Sequence, residues 1–222
     1  MAHTTTSVND RQWYIVGRWQ EYEGEGRANL IRILAIGVFY SIQLVHYYGF
    51  ADRHPEGPEF RQTVAFHQAA TALAVAGSLM SLALLLCLRR RIFPGPLKFV
   101  SATGDVILVT SLAALGTGPF SPLVLVYFLI IVVAGLRFSL RLVWCSTLCS
   151  MAGYLLLVGL KDDKWFDANH FVPPVQQIMT LACLGLAGII TGQIIRRVRT
   201  LADDYARRVA SASSGSSKQE QA

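Results

Sequence analysis

The chain has 222 residues, 53% of them hydrophobic and 15% charged, with a mean hydropathy of +0.41. Ordinary soluble domains carry about 25% charged residues, so this composition excludes a disordered chain and argues against a soluble enzyme. The net charge of +6 arises from basic residues split among several short segments rather than gathered in one stripe, which argues against a nucleic-acid partner.

Residues 1–29 precede the first apolar block, and the first ten lack the charge-then-apolar pattern of a signal peptide. Asn9 or Asp10 is placed to cap a short helix running to about Glu23. Trp13, Tyr14, Val16 and Trp19 weight that helix toward the membrane interface, as an anchoring collar or a regulatory element. Six apolar blocks follow, at about Leu30–Phe50, Thr63–Leu88, Leu97–Leu115, Pro122–Leu136, Leu142–Leu160 and Pro174–Ile195. Each approaches the ~20 residues that a helix needs to cross ~30 Å of hydrocarbon, the fourth being the shortest. None alternates with the period of two that a membrane strand requires. The expected fold is therefore all-α: a polytopic bundle of six transmembrane helices over residues 30–195.

The Lys and Arg distribution orients this bundle. With the N-terminus in the cytoplasm, the outer loops hold only Arg53, Arg61, Lys161 and Lys164 of the 20 basic residues. The remaining 16 lie inside, and both termini are expected in the cytoplasm. The positive charge is then chiefly a topology signal.

The sixth block does not end at the membrane. Gln193–Val209 holds no Gly or Pro, and its apolar residues Ile194, Val198, Leu201, Tyr205 and Val209 fall three or four apart, like a coiled-coil seam. Residues 196–210 are therefore expected to form a signalling helix able to pair two chains. Ser211–Ser217 reads as the start of a flexible tail over 211–222. In the sixth span, Gly185, Gly188 and Gly192 permit close helix approach.

Ionisable residues inside spans suggest function because they are costly to bury. His46 and His67 lie at matching depths near the outer ends of the first two spans, with Gln43, Tyr47, Tyr48 and Gln68 beside them. Two such histidines suit haem b, or half of a copper, iron or zinc site. His170 or His54 offers a third ligand, and Asp105 is the one carboxylate placed within a span, where it completes a mixed site, pairs with a histidine or carries a proton. Structural hydrogen bonding and proton sensing need the same residue types and no cofactor. Cys87, Cys145, Cys149 and Cys183 all lie in spans, so no disulfide framework is expected. Cys145 and Cys149 share one helix face.

With six spans, a cytoplasmic N-terminus and the exit helix "GQIIRRVRTLADDYARRVA", the chain resembles the N-terminal membrane sensory regions of bacterial sensor histidine kinases. It is similar in the same way to the six-span anchors of class III adenylate cyclases and the membrane sensors of some diguanylate cyclases. The resemblance covers the span region and rests on layout. It implies a bacterial inner membrane, a homodimer formed through the sixth helix, and a kinase or cyclase output domain as partner. No phosphoacceptor-histidine helix, nucleotide-binding glycine box or cyclase aspartate pattern follows residue 210, so no catalysis is expected in this chain. The expected function is a signal-input domain that binds a ligand or a metal or haem cofactor among the outer ends of its spans. A small membrane redox protein using His46 and His67 is the alternative. A transporter would need a polar path beyond Asp105, Ser101 and Thr103, and no internal repeat supports one.

Overall fold

The computed structural model describes the backbone of residues 3–51, 58–90, 95–161 and 172–219, and the side chains of 22–49, 64–90, 95–160, 172–205 and 207–208. Among the described residues there are six α-helices and no strand. They are α1 (His3–Ala51), α2 (Pro58–Arg89), α3 (Leu97–Leu115), α4 (Leu125–Gly135), α5 (Leu140–Lys161) and α6 (Pro174–Gln219). All except α4 are long and apolar enough to cross a bilayer.

Two helices are longer than the apolar blocks inside them. The collar expected to end near Glu23 does not end there: α1 runs unbroken from His3 through the first apolar block. At 1.5 Å per residue its 49 residues extend about 74 Å. Likewise α6 continues through Ser211 to Gln219, where a flexible tail is expected from composition. The side chains of Trp13, Tyr14, Val16 and Trp19 of the collar and of Val209 lie outside the described residues, as do the outer-loop residues His54 and His170 altogether.

The fourth block is short for a local reason. Gly118–Phe120 and Pro122–Val124 form two 3-10 turns, and α4 begins only at Leu125. Gly118 adopts a positive φ of 67°, which glycine tolerates without a Cβ clash. The Ser121 hydroxyl accepts a hydrogen bond from the Leu123 amide at 3.2 Å and caps the second turn. These turns take up the Pro-rich beginning of the block.

α5 is the central helix, packing against α3, α4 and α6, whereas α1 packs on α2 and α2 on α3. Tyr127 and Ile131 from α4, Leu142, Val143, Tyr154, Leu157 and Val158 from α5, and Leu184 from α6 form the core. The outer surface of the bundle carries large apolar residues such as Leu30, Val45, Leu79, Val100, Ile107, Leu148, Ile178 and Ile190. So broad an exposed apolar surface is foreign to a water-soluble monomer and suits a multi-pass membrane protein.

The glycines of α6 serve packing within the chain. A Cβ at Gly188 would collide with Thr147 of α5, standing 2.8 Å from its Cγ2, and one at Gly192 would stand 3.1 Å from Leu140 Cδ1. Nothing lies near Gly185. The GxxxG face is thus occupied by α5.

Candidate functional site

The most concentrated polar chemistry lies at the end of the bundle where α3 and α5 begin. Glu25, Asn29 and Arg32 are spaced four and three residues apart on α1, so helical geometry puts them on one face. Ser101 and Asp105 share a face of α3 for the same reason. Arg137 comes from the turn between α4 and α5. All of these except Asp105 are buried, and the Asp105 side chain is only 17% exposed.

Arg32 holds Asp105 in a two-pronged grip. Its Nε donates to Oδ1 and its Nη2 to Oδ2, both at 2.6 Å. The planar guanidinium fork matches the carboxylate in this geometry. Arg32 Nη1 donates to Asn29 Oδ1 at 3.0 Å, and Nη2 also donates to Ser101 Oγ at 2.5 Å. Asn29 turns its amide the other way, donating from Nδ2 to the Ser81 carbonyl of α2 at 3.1 Å.

Arg137 approaches the same hydroxyl from the opposite side. Its Nη2 donates to Ser101 Oγ at 3.3 Å and lies 3.2 Å from Glu25 Oε2. Its Nη1 donates to the Lys98 carbonyl at 3.0 Å. Ser101 therefore accepts from two arginines, using both lone pairs of one hydroxyl. Burial pushes the Arg137 guanidinium below the usual arginine range, and the Glu25 carboxylate opposes that shift.

The network links α1, α2, α3 and the α4–α5 turn. Two guanidinium groups face two carboxylates, so its core is charge-balanced, as burial in a medium of low dielectric demands. The carboxylates are not equivalent. Asp105 has both oxygens bonded, while Glu25 Oε1 and Arg137 Nε are buried with no hydrogen-bond partner.

The turn beside the network is tightly constrained. A Cβ at Gly24 would lie 3.1 Å from the Leu136 carbonyl oxygen and 3.3 Å from the Arg137 Cα, so α1 meets the turn backbone to backbone. Phe138 has a left-handed φ of 49°, a conformation costly for a residue with a Cβ. Its carbonyl accepts a hydrogen bond from Arg199 Nη2 on α6. Neighbouring residues of one turn thus engage the buried network and the exit helix.

Asp105, expected to complete a mixed site, pair with a histidine or carry a proton, is found on Arg32. It binds Arg32, which precedes His46 on α1 by about 14 residues, or roughly 21 Å of helix. Each of its oxygens accepts a hydrogen bond from that guanidinium. His46 lies exposed on α1. The ring stacked on His67 is that of Tyr47, with centroids 4.0 Å apart and planes 11° from parallel. His67 Nδ1 is buried without a hydrogen-bond partner. Tyr40 and Thr71 hydroxyls meet at 3.2 Å on the same two helices. Among the described residues no group of three or more His, Cys, Asp or Glu is arranged to hold a metal ion. Cys149 Sγ lies 4.0 Å from Thr103 Oγ1, and Cys145 and Cys149 interact along α5 as their spacing predicts; all four cysteines are free.

Sequence reading missed Glu25, Asn29, Arg32 and Arg137. Glu25, Asn29 and Arg32 carried one available signal, the 25/29/32 spacing, which aligns a carboxylate, an amide and a guanidinium on one helical face. No family model, curated protein or solved structure matches the chain.

Proposed function

We propose that this chain is the signal-input region of a bacterial membrane receptor, with both termini in the cytoplasm and no catalysis of its own. One observation carries this reading: α6 runs without interruption from Pro174 to Gln219, about 69 Å. That is more than twice the thickness of the hydrocarbon core. From the edge of the bundle outward, Ile194, Val198, Leu201 and Tyr205 are exposed and share one helical face. Apolar residues at that spacing suit a second identical helix. A continuous helix that pairs outside the membrane carries rotation or sliding from the bundle to an output domain such as a kinase or cyclase. The buried ion network at the root of α6 supports this reading, because it ties α1 and α3 to the turn that holds Arg199.

The test is disulfide cross-linking in native membranes, with Cys87, Cys145, Cys149 and Cys183 replaced and single cysteines placed along α6. Strong cross-linking at positions 194, 198, 201 and 205, and weak cross-linking at 196, 199 and 203, is the expected pattern. Uniform or absent cross-linking would refute the paired exit helix.

A further inference from the structure

The two carboxylates of the network differ in how their charge is compensated. Asp105 receives two hydrogen bonds of 2.6 Å from one guanidinium. Glu25 has one ion-pair contact of 3.2 Å, from Oε2 to Arg137 Nη2. Its Oε1 is buried and bonded to nothing. A carboxylate removed from water and half-satisfied is the group on which a proton settles most easily. The charged groups facing Glu25 are Arg137 from the α4–α5 turn, Arg32 from its own helix, and Lys98 and Asp105 from α3. Two residues to either side, on the opposite face of α1, Glu23 and Arg27 form an exposed ion pair at 2.5 Å, so this end of the bundle meets water or headgroups.

The partner of Glu25 stands next to the attachment point of the exit helix. Arg137 precedes Phe138, whose carbonyl is held by Arg199 of α6. The backbone at this step has little slack, since Phe138 is left-handed and Leu136 and Arg137 press on Gly24. A change in the Arg137 side chain is therefore conveyed to the Phe138 carbonyl through one peptide unit.

We infer that Glu25 is a proton-binding site that latches the exit helix. With Glu25 ionised, its pairing with Arg137 holds the 136–138 turn against α1, and Arg199 anchors α6 to that turn. A proton from the aqueous phase adds to Oε1, the carboxylate becomes a neutral acid, and the network gains one positive charge. Arg137 then loses its counter-ion, the turn loosens from α1, and the Arg199 anchor moves with it. The inference rests on the signal-input reading only for the use made of α6; proton binding at Glu25 does not require it.

The experiment uses the full chain in lipid nanodiscs. Infrared difference spectra across a pH titration are expected to show a protonated-carboxyl band that vanishes in Glu25→Gln and persists, shifted, in Glu25→Asp. Hydrogen–deuterium exchange at one neutral pH is expected to be several-fold faster across Arg196–Tyr205 in Glu25→Gln than in the parent chain. A band unaffected by Glu25→Gln, or no titrating band, overturns the proton site. A band lost in Glu25→Gln with unchanged α6 exchange overturns the latch. A uniform α6 cross-linking pattern alongside both expected results would refute the paired exit helix while upholding the proton site.

Discussion

Gly24 and Arg137 approach so closely that a Cβ on the glycine would stand 3.3 Å from the arginine's Cα, with the Leu136 carbonyl oxygen nearer still. Both neighbours are backbone, which cannot step aside as a flexible side chain can. Gly24→Ala is expected to destabilise the bundle by about 1–3 kcal/mol, the range typical of overpacking, and Gly24→Leu by more. Gly26, two residues on, has nothing within 4 Å of a built Cβ. Gly26→Ala is therefore the control and should unfold at or above the parent temperature in detergent thermal melts.

Removing one partner of the Arg32–Asp105 pair should cost more than removing both. Asp105→Asn leaves a buried guanidinium facing an uncharged amide, and loss of one partner of a buried pair costs about 3–5 kcal/mol. Arg32→Met strands the carboxylate in the same way. The Arg32→Met, Asp105→Leu double variant strands neither. A double-mutant cycle of unfolding free energies should show strong positive coupling, with the double variant more stable than either single one. Additive losses would mean that the pair is weakly coupled.

The close contact of α6 with α5 gives a separate expectation. Gly188→Ala drives a methyl group into Thr147 and should cost about 1–3 kcal/mol. Thr147→Ala removes the Oγ1 and Cγ2 atoms that lie nearest, so it should recover much of that loss in the same melts. Because this face is occupied within the chain, Gly188→Ala should leave the cross-linking pattern at positions 198–205 in place in whatever protein remains folded.

Much of the architecture was legible in composition. Apolar blocks predicted the helices, and the run without Gly or Pro after Gly192 matches the unbroken course of α6. The site was less legible. Hydropathy cut the first span at Leu30, which put Glu25 and Asn29 outside the membrane region and left Arg32 counted as a flanking charge. Their compensation comes from residues such as Asp105, 73 positions along the chain from Arg32, and a sliding window cannot register a partner at that distance. The match in depth between His46 and His67 was a statement about one dimension only. Each helical residue turns about 100° from the last, and rotation put Tyr47 on the His67 ring while His46 lies exposed. The shortening of the fourth block lay in Gly118, Pro119 and Pro122, whose preference for turns outweighed the apolar run around them.

The Arg32–Asp105 pair also sets an order for biogenesis. Arg32 is synthesised 73 residues ahead of Asp105. At ribosomal speeds of about 5–20 residues per second, α1 waits roughly 4–15 s for α3. Throughout that interval its guanidinium lacks the Asp105 carboxylate, and an unpaired arginine is costly to remove from water. In the folded bundle the two groups neutralise each other only once α1 and α3 have met. Glu25 waits longer, for the turn that brings Arg137. The buried charges thus make the packing of α1 depend on residues made well after α1 itself, on α3 and in the α4–α5 turn.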